Sequence, residues 1–185
     1  MKTYVFLYDG FANFEVAVAA MLLRKRGDVL TLAATKEPVV SEEGFTFLPD
    51  RSLDETSAED MDVLVFPGGA VRPHSQDPRL IALVRAANER DVLIGAICAG
   101  PLFLADAGIL EGRRCTSAFG PAHELRAAFA DADHRDAFFT VRDDNIVTAI
   151  GSAYVEFAIV LGHAAGIFES DADECETYAW LKNEQ

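Results

Sequence analysis

The chain has 185 residues, half of them apolar and a quarter charged, a balance that suits one folded domain with a large core and excludes a disordered chain. Sixteen basic against thirty acidic side chains give a formal net charge of −14, which repels phosphate backbones and anionic lipid surfaces, so neither nucleic acid nor a membrane is an expected partner. Three cysteines, Cys98, Cys115 and Cys175, are too few for a secreted disulfide framework, and the apolar opening run is cut short by Asp9; the thiols are expected to be reduced and the protein cytoplasmic.

Thr3 to Tyr8 (TYVFLY) is an apolar run rich in β-formers and stopped by Asp9-Gly10, the pattern of a strand buried on both faces. A helix follows, with Asn13 placed to cap it and Phe14, Val18, Met21 and Leu22 recurring at i, i+4, i+7 and i+8 as its inner face. DVLTLAA gives a second strand, and Thr35 to Asp60, with Pro38, Gly44, Pro49 and several acids, reads as a small hairpin and a surface loop. MDVLVFPGG is a further buried strand closed by a Pro-Gly-Gly turn; DPRLIALVRAANERD then forms a helix with Leu80, Leu83, Val84 and Ala87 on one face, and VLIGAI leads as a strand into Cys98. Beyond the Gly112 turn, GPAHELRAAFA predicts a helix and FFTVRDDNIVTAI a hairpin turning at Asp143-Asp144-Asn145. SAYVEFAIVLGHAAGIF predicts a helix with Phe157, Val160, Leu161, Ala164 and Phe168 inward, and DADECETYAWL a last helix begun by Asp171 and Glu174 in the manner of a capping box. Strands alternating with helices predict one domain over residues 1–185, built on a mostly parallel sheet covered on both faces, with functional groups in loops at the carboxyl ends of the strands. Cys98, Gly68, Gly69 and Glu15 all fall in such loops.

Cys98 stands between a strand and a helix with Ala96, Ala99 and Gly100 around it, an A-x-C-x-G pattern. This is the cysteine counterpart of a nucleophile elbow, a sharp turn where the backbone approaches other segments so closely that only small neighbours fit. Pro101 suits the first turn of the following helix. The thiol is expected to face the helix amino end, whose partial positive charge favours thiolate. The plainer alternative is a buried cysteine serving as a small hydrophobe.

Four segments in order, DGFANFE, VLVFPGGA, IGAICAGPLFLADAGIL and DDNIVTAIGSAYVEFA, resemble the ThiJ/PfpI superfamily at spacings that cover nearly the whole chain. The resemblance implies a flavodoxin-like three-layer α/β sandwich with a mostly parallel central sheet, a homodimer, and an acid from the loop after the first strand hydrogen-bonded to the elbow cysteine. By position that acid is Glu15. A carboxyl held against a thiolate in a partly apolar pocket has its pKa raised, so Glu15 would tune Cys98 and serve as general acid or base. The resemblance also implies an oxyanion site made by the backbone N–H groups of Gly69 and Ala99.

Many relatives place a histidine in the segment that here reads RRCTSAFG, where this chain has Thr116, Ser117, Ala118 and Phe119. Its absence weakens any chemistry that must protonate a poor amine leaving group. Among His74, His123, His134 and His163, His74 lies on the loop after the Pro-Gly-Gly turn and is the candidate to reach the pocket, with Asp9 as a second nearby acid. No histidine shows zinc-ligand spacing with Cys115 or Cys175, and neither G-x-G-x-x-G nor G-x-x-x-x-G-K-[ST] occurs, so no metal and no cofactor are expected. The expected function is a cysteine-dependent hydrolase or lyase acting on a small electrophile (a reactive aldehyde, a glycation adduct or an isonitrile) through a Cys98 thiolate paired with Glu15. Two alternatives stand beside it: a redox-sensing or chaperone-like stress protein that uses oxidation of Cys98, and an intracellular cysteine peptidase.

Overall fold

The computed structural model describes residues 1–184. Its central sheet has seven strands, assembled from β1 (Lys2–Phe6), β2 (Asp28–Ala33), β5 (Arg51–Ser52), β6 (Val63–Phe66), β7 (Leu93–Ile97), β10 (Thr140–Asp143) and β11 (Ile146–Ala149), in the order β10-β11-β7-β6-β1-β2-β5. Every pairing is parallel except the β10–β11 hairpin, which turns at Asp144 with a φ of 56°. Between them, β3 (Val39–Val40) and β4 (Thr46–Phe47) form a separate antiparallel hairpin, and β8 (Arg114–Cys115) pairs in parallel with β9 (Asp133–His134). The strands β1, β6 and β7 are almost wholly apolar and buried, as sheets covered by helices on both faces require.

The helices are α1 (Phe14–Leu23), α2 (Pro78–Glu89), α3 (Pro101–Asp106), α4 (Tyr154–Ala164) and α5 (Asp171–Lys182). α1 packs on α4, α5 packs on α4, and α2 packs against α3. The α4 helix sits tightly on β7 because Gly95 leaves room for it: a Cβ there would come within 2.9 Å of Phe157 and 3.0 Å of Leu161. The chain runs from β1 to β2 on one side and returns to β6 on the other. Such a reversal opens a crevice beyond the carboxyl ends of the strands, the usual place for a binding site in an open α/β sheet.

One expected helix face holds to the residue. The buried face of α2 is Leu80, Leu83, Val84 and Ala87; Cys115 is buried in a short strand and Cys175 is exposed on the last helix. Others are corrected. The inner face of α1 is Glu15, Val16, Ala19, Leu22 and Leu23, while Phe14 and Met21 face outward. Asn13 makes no side-chain cap; the Asn13 and Phe14 N–H groups donate instead to Glu43 of the β3–β4 connection, at 3.2 and 2.9 Å. On the last helix the capping oxygen belongs to Ser170, which accepts from Asp173 N–H. The segment expected as a helix after Gly120 forms only a 3-10 stretch, Glu124–Phe129, with Phe129 its one buried residue. It lacks the apolar stripe that stabilises a full α-helix by packing. No helix among the described residues is long and apolar enough to cross a membrane.

Candidate active site

Cys98 occupies the turn between β7 and α3 with a φ of 61°, in the left-handed region. For a residue with a Cβ this conformation costs about 1 kcal/mol or more and persists only where surrounding structure imposes it. Three hydrogen bonds do so: Cys98 N–H donates to Ala149 O at 2.8 Å, Ala118 N–H donates to Cys98 O at 2.7 Å, and Gly100 N–H donates to Ile97 O at 2.7 Å. The small neighbours are needed as the A-x-C-x-G pattern suggests. A Cβ on Gly100 would lie 2.5 Å from Phe66 O, and Ala96 is fully buried.

Glu15 enters from the first turn of α1 and is 3% exposed, the one buried carboxyl side chain among the described residues. Its Oε2 accepts from Gly68 N–H at 2.7 Å. The carboxyl meets the Cys98 thiol beside Gly151: a Cβ on Gly151 would stand 2.8 Å from Glu15 Oε1 and 3.1 Å from Cys98 Sγ. Gly68 is equally confined, its absent Cβ lying 2.6 Å from Cys98 Cβ and 2.7 Å from Glu15 Oε2. Two glycines thus make the space in which thiol and carboxyl meet. The Gly68 carbonyl is held in turn by the buried Tyr8 hydroxyl, which donates at 2.6 Å. Gly151 was not singled out by sequence reading. Its signal was the AIGSA step after a strand, which alone reads as an ordinary turn.

The electrostatics modify the expectation for the sulfur. Burial pushes the Cys98 thiol up to about 12, and the facing Glu15 carboxylate adds to the rise, while the Ala99 N–H directed at the sulfur opposes it. Burial also raises Glu15 above its ordinary value, against the pull of its contacts with the Cys98 thiol and Gly68 N–H; the nearby Glu42 and Glu43 carboxylates push the same way as burial. The helix end does not win: α3 is only six residues long, too short for the aligned peptide dipoles to outweigh burial and a facing anion. Burial and mutual repulsion push both groups up, so the pair disfavours carrying two negative charges at once and holds one proton between sulfur and carboxyl.

The remaining candidates separate. Gly69 adopts a φ of 108° and its Cα backs onto Gly10 O, where a Cβ would come within 2.1 Å; its N–H has no partner among the described residues. Asp9 is not part of the pair, because its Oδ1 accepts from Val40 N–H at 2.9 Å and fixes the β3 segment. His74 packs its ring on Tyr8 with centroids 4.9 Å apart and hydrogen-bonds the Asp9 backbone. Burial lowers its pKa, and its contact with the site is through Tyr8. The other histidines are engaged elsewhere: His123 with Leu125 N–H, His134 with Ser117 Oγ, His163 with Glu174. In the segment 116–119, expected from the resemblance to carry a histidine in many relatives, the Ala118 N–H holds the Cys98 carbonyl. No group of three or more His, Cys, Asp or Glu among the described residues could hold a metal ion.

A seven-stranded, mostly parallel sheet between helices, with a strained cysteine on a strand-to-helix turn and a buried glutamate against it, defines a flavodoxin-like α/β protein of the nucleophile-elbow class. Comparison with known proteins then fixes the family. Residues 1–162 match the DJ-1/PfpI family model, and the chain belongs to the DJ-1/PfpI family. It is 32% identical over 161 residues to protein dj-1beta of Drosophila melanogaster, covering 84% of each chain. It is 25% identical to deglycase TK1284 of Thermococcus kodakarensis, over 98% of this chain and 96% of that one. The crystal structure of Drosophila melanogaster DJ-1beta superposes with a TM-score of 0.82 at 26% identity, over 97% of this chain and 96% of the other.

Proposed function

We propose that the protein is an enzyme that adds the Cys98 sulfur to a small carbonyl or similarly electrophilic carbon, with Glu15 as the base. The observation that carries this reading is the enclosure of a thiol and a buried carboxyl against each other in one glycine-lined gap, both within about 3 Å of where a Cβ on Gly151 would stand. In the step, Sγ bonds to the electrophilic carbon, the π pair of the C=O moves onto oxygen, and the thiol proton passes to Glu15. Glu15 then returns that proton to the new alkoxide. In the hemithioacetal of an α-ketoaldehyde it next moves the C1 proton to C2, giving a 2-hydroxy thioester, and water cleaves the C–S bond to release the hydroxy acid and restore the thiol, so one residue serves as base and then as acid. The Gly69 N–H, which has no partner among the described residues, is the donor assigned to the developing oxyanion, joined by the Ala99 N–H once that group turns from the sulfur it meets in the resting site.

A carboxylate with a raised pKa is a stronger base than an ordinary one, and a thiol held neutral until attack needs such a base. The four histidines are engaged away from Cys98, with Tyr8, Leu125 N–H, Ser117 and Glu174, so the site offers no imidazole beside the thiol, which disfavours the peptidase reading. Relatives that bear the names deglycase and isonitrile hydratase support small electrophilic substrates for this chain as well. The homodimer belongs to the same reading, with the outward Phe14 and Met21 of α1 at its interface. The test is turnover of a small α-ketoaldehyde such as methylglyoxal: Cys98→Ser abolishes it with the fold intact, and an unchanged rate would remove the reading.

A further inference from the structure

The central sheet ends at β10, and a cavity of about 270 Å³ is lined there by Arg114, Arg135, Phe138, Thr140, Val141 and Arg142. Three of the sixteen basic side chains thus stand around one hollow of a protein whose formal charge is −14. Two of the guanidiniums are pinned by carboxylates: Arg114 Nε donates to Asp143 Oδ2 at 3.0 Å, and Arg135 is paired with Asp133. Arg142 has no acidic partner among the described residues, and its Nε is held by Asp144 O at 3.2 Å. Three guanidiniums against two carboxylates leave a net positive charge. A guanidinium anchored along one edge offers its remaining N–H groups in a fixed direction, the arrangement that recognises an oxyanion at low ordering cost.

One further feature points to a ligand rather than to a solvated arginine rim. Beside the arginines, the Phe138 ring is 56% exposed, an apolar surface that suits the organic part of a ligand whose charged end meets the guanidiniums. We infer that this hollow is an anion site for the phosphate of a small phosphomonoester, with the organic part against Phe138. Three cationic groups around one hollow match a tetrahedral oxyanion better than a planar carboxylate. The site is independent of the chemistry assigned to Cys98, and Cys98→Ser protein is expected to bind as the wild type does.

The experiment is calorimetric or NMR titration of the full chain with inorganic phosphate, phenyl phosphate and acetate at constant ionic strength. Phosphate and phenyl phosphate bind saturably, and Arg142→Ala weakens both by about tenfold or more, the scale of a lost charged hydrogen bond. Phe138→Ala weakens phenyl phosphate and leaves inorganic phosphate unchanged. A response that follows ionic strength alone, affinities unmoved in both Arg142→Ala and Arg135→Ala, or acetate binding as tightly as phosphate would each overturn the assignment.

Discussion

Glu15→Gln separates the two roles assigned to the buried carboxyl, because the amide oxygen can still accept from Gly68 N–H at the position Oε2 holds now, while the charge and the basicity are gone. The Cys98 thiol stands at about 12 against an ordinary 9.0, a gap worth about 4 kcal/mol in favour of the neutral form. Burial is the first cause and the Glu15 carboxylate the second. A unit charge at about 4 Å interacts by about 1 kcal/mol in bulk water and about 4 kcal/mol near a protein surface. Removing it therefore lowers the thiol midpoint by about one pH unit or more. Turnover at neutral pH moves the other way, falling by about 10² to 10⁴ as the base is lost. Peptide-resolved iodoacetamide alkylation against pH reads the midpoint of Cys98 apart from Cys115 and Cys175, and ketoaldehyde consumption reads turnover. A more acidic thiol with a slower enzyme is the expected pair of results. An unmoved or higher midpoint, or turnover that rises with thiolate, would refute the reasoning.

Three further outcomes follow from the same geometry. Cys98→Gly relieves the left-handed strain at φ 61° and is expected to raise stability to urea by about 1 kcal/mol while abolishing turnover; a loss of stability would mean the turn is not strained. Glu15 has a folded pKa above its unfolded value, so its stabilising contribution is complete below the unfolded pKa and is lost as pH rises through the folded one. Glu15→Gln should therefore raise the melting temperature relative to wild type at mildly alkaline pH, with the advantage shrinking in acid; an advantage that grows in acid contradicts the assignment. Gly151→Ala puts a methyl 2.8 Å from Glu15 Oε1 and 3.1 Å from Cys98 Sγ, which should cost about a hundredfold in turnover by separating the pair, with the circular dichroism spectrum and denaturant midpoint close to wild type. Unchanged turnover in that variant would show that the gap is not where the chemistry occurs.

The parts of the fold that periodicity governs were legible. The α2 face appears residue for residue because the helix lies on the sheet and its polar side meets water. The α1 helix misled because its apolar residues run around the cylinder, and the requirement that decides its rotation is the burial of a charged residue, Glu15, at Cys98. That turns the inner face by one position and leaves Phe14 and Met21 outside. Its cap came from Glu43, thirty residues away from Asn13, a contact that no local capping rule can see. At the site, the elbow and Glu15 could be read from residue types and the family resemblance. Gly151 and Ala118 could not, since their importance lies in what they leave empty or what they hold, namely the gap beside Sγ and the Cys98 carbonyl. What opposes ionisation of the sulfur also escaped the sequence: a helix start is visible in AGPLF, whereas burial and the facing Glu15 are set by tertiary packing.

The most direct test of a glutamate acting as base toward a neutral thiol is the pH dependence of kcat/KM for ketoaldehyde consumption by the wild-type protein. The account predicts a single ascending limb with its midpoint above the 4.5 of an ordinary glutamate, followed by a plateau that runs unbroken through the range where free cysteine ionises. A limb centred near 9.0, the ordinary thiol value, would show that free thiolate attacks without Glu15 and would contradict it.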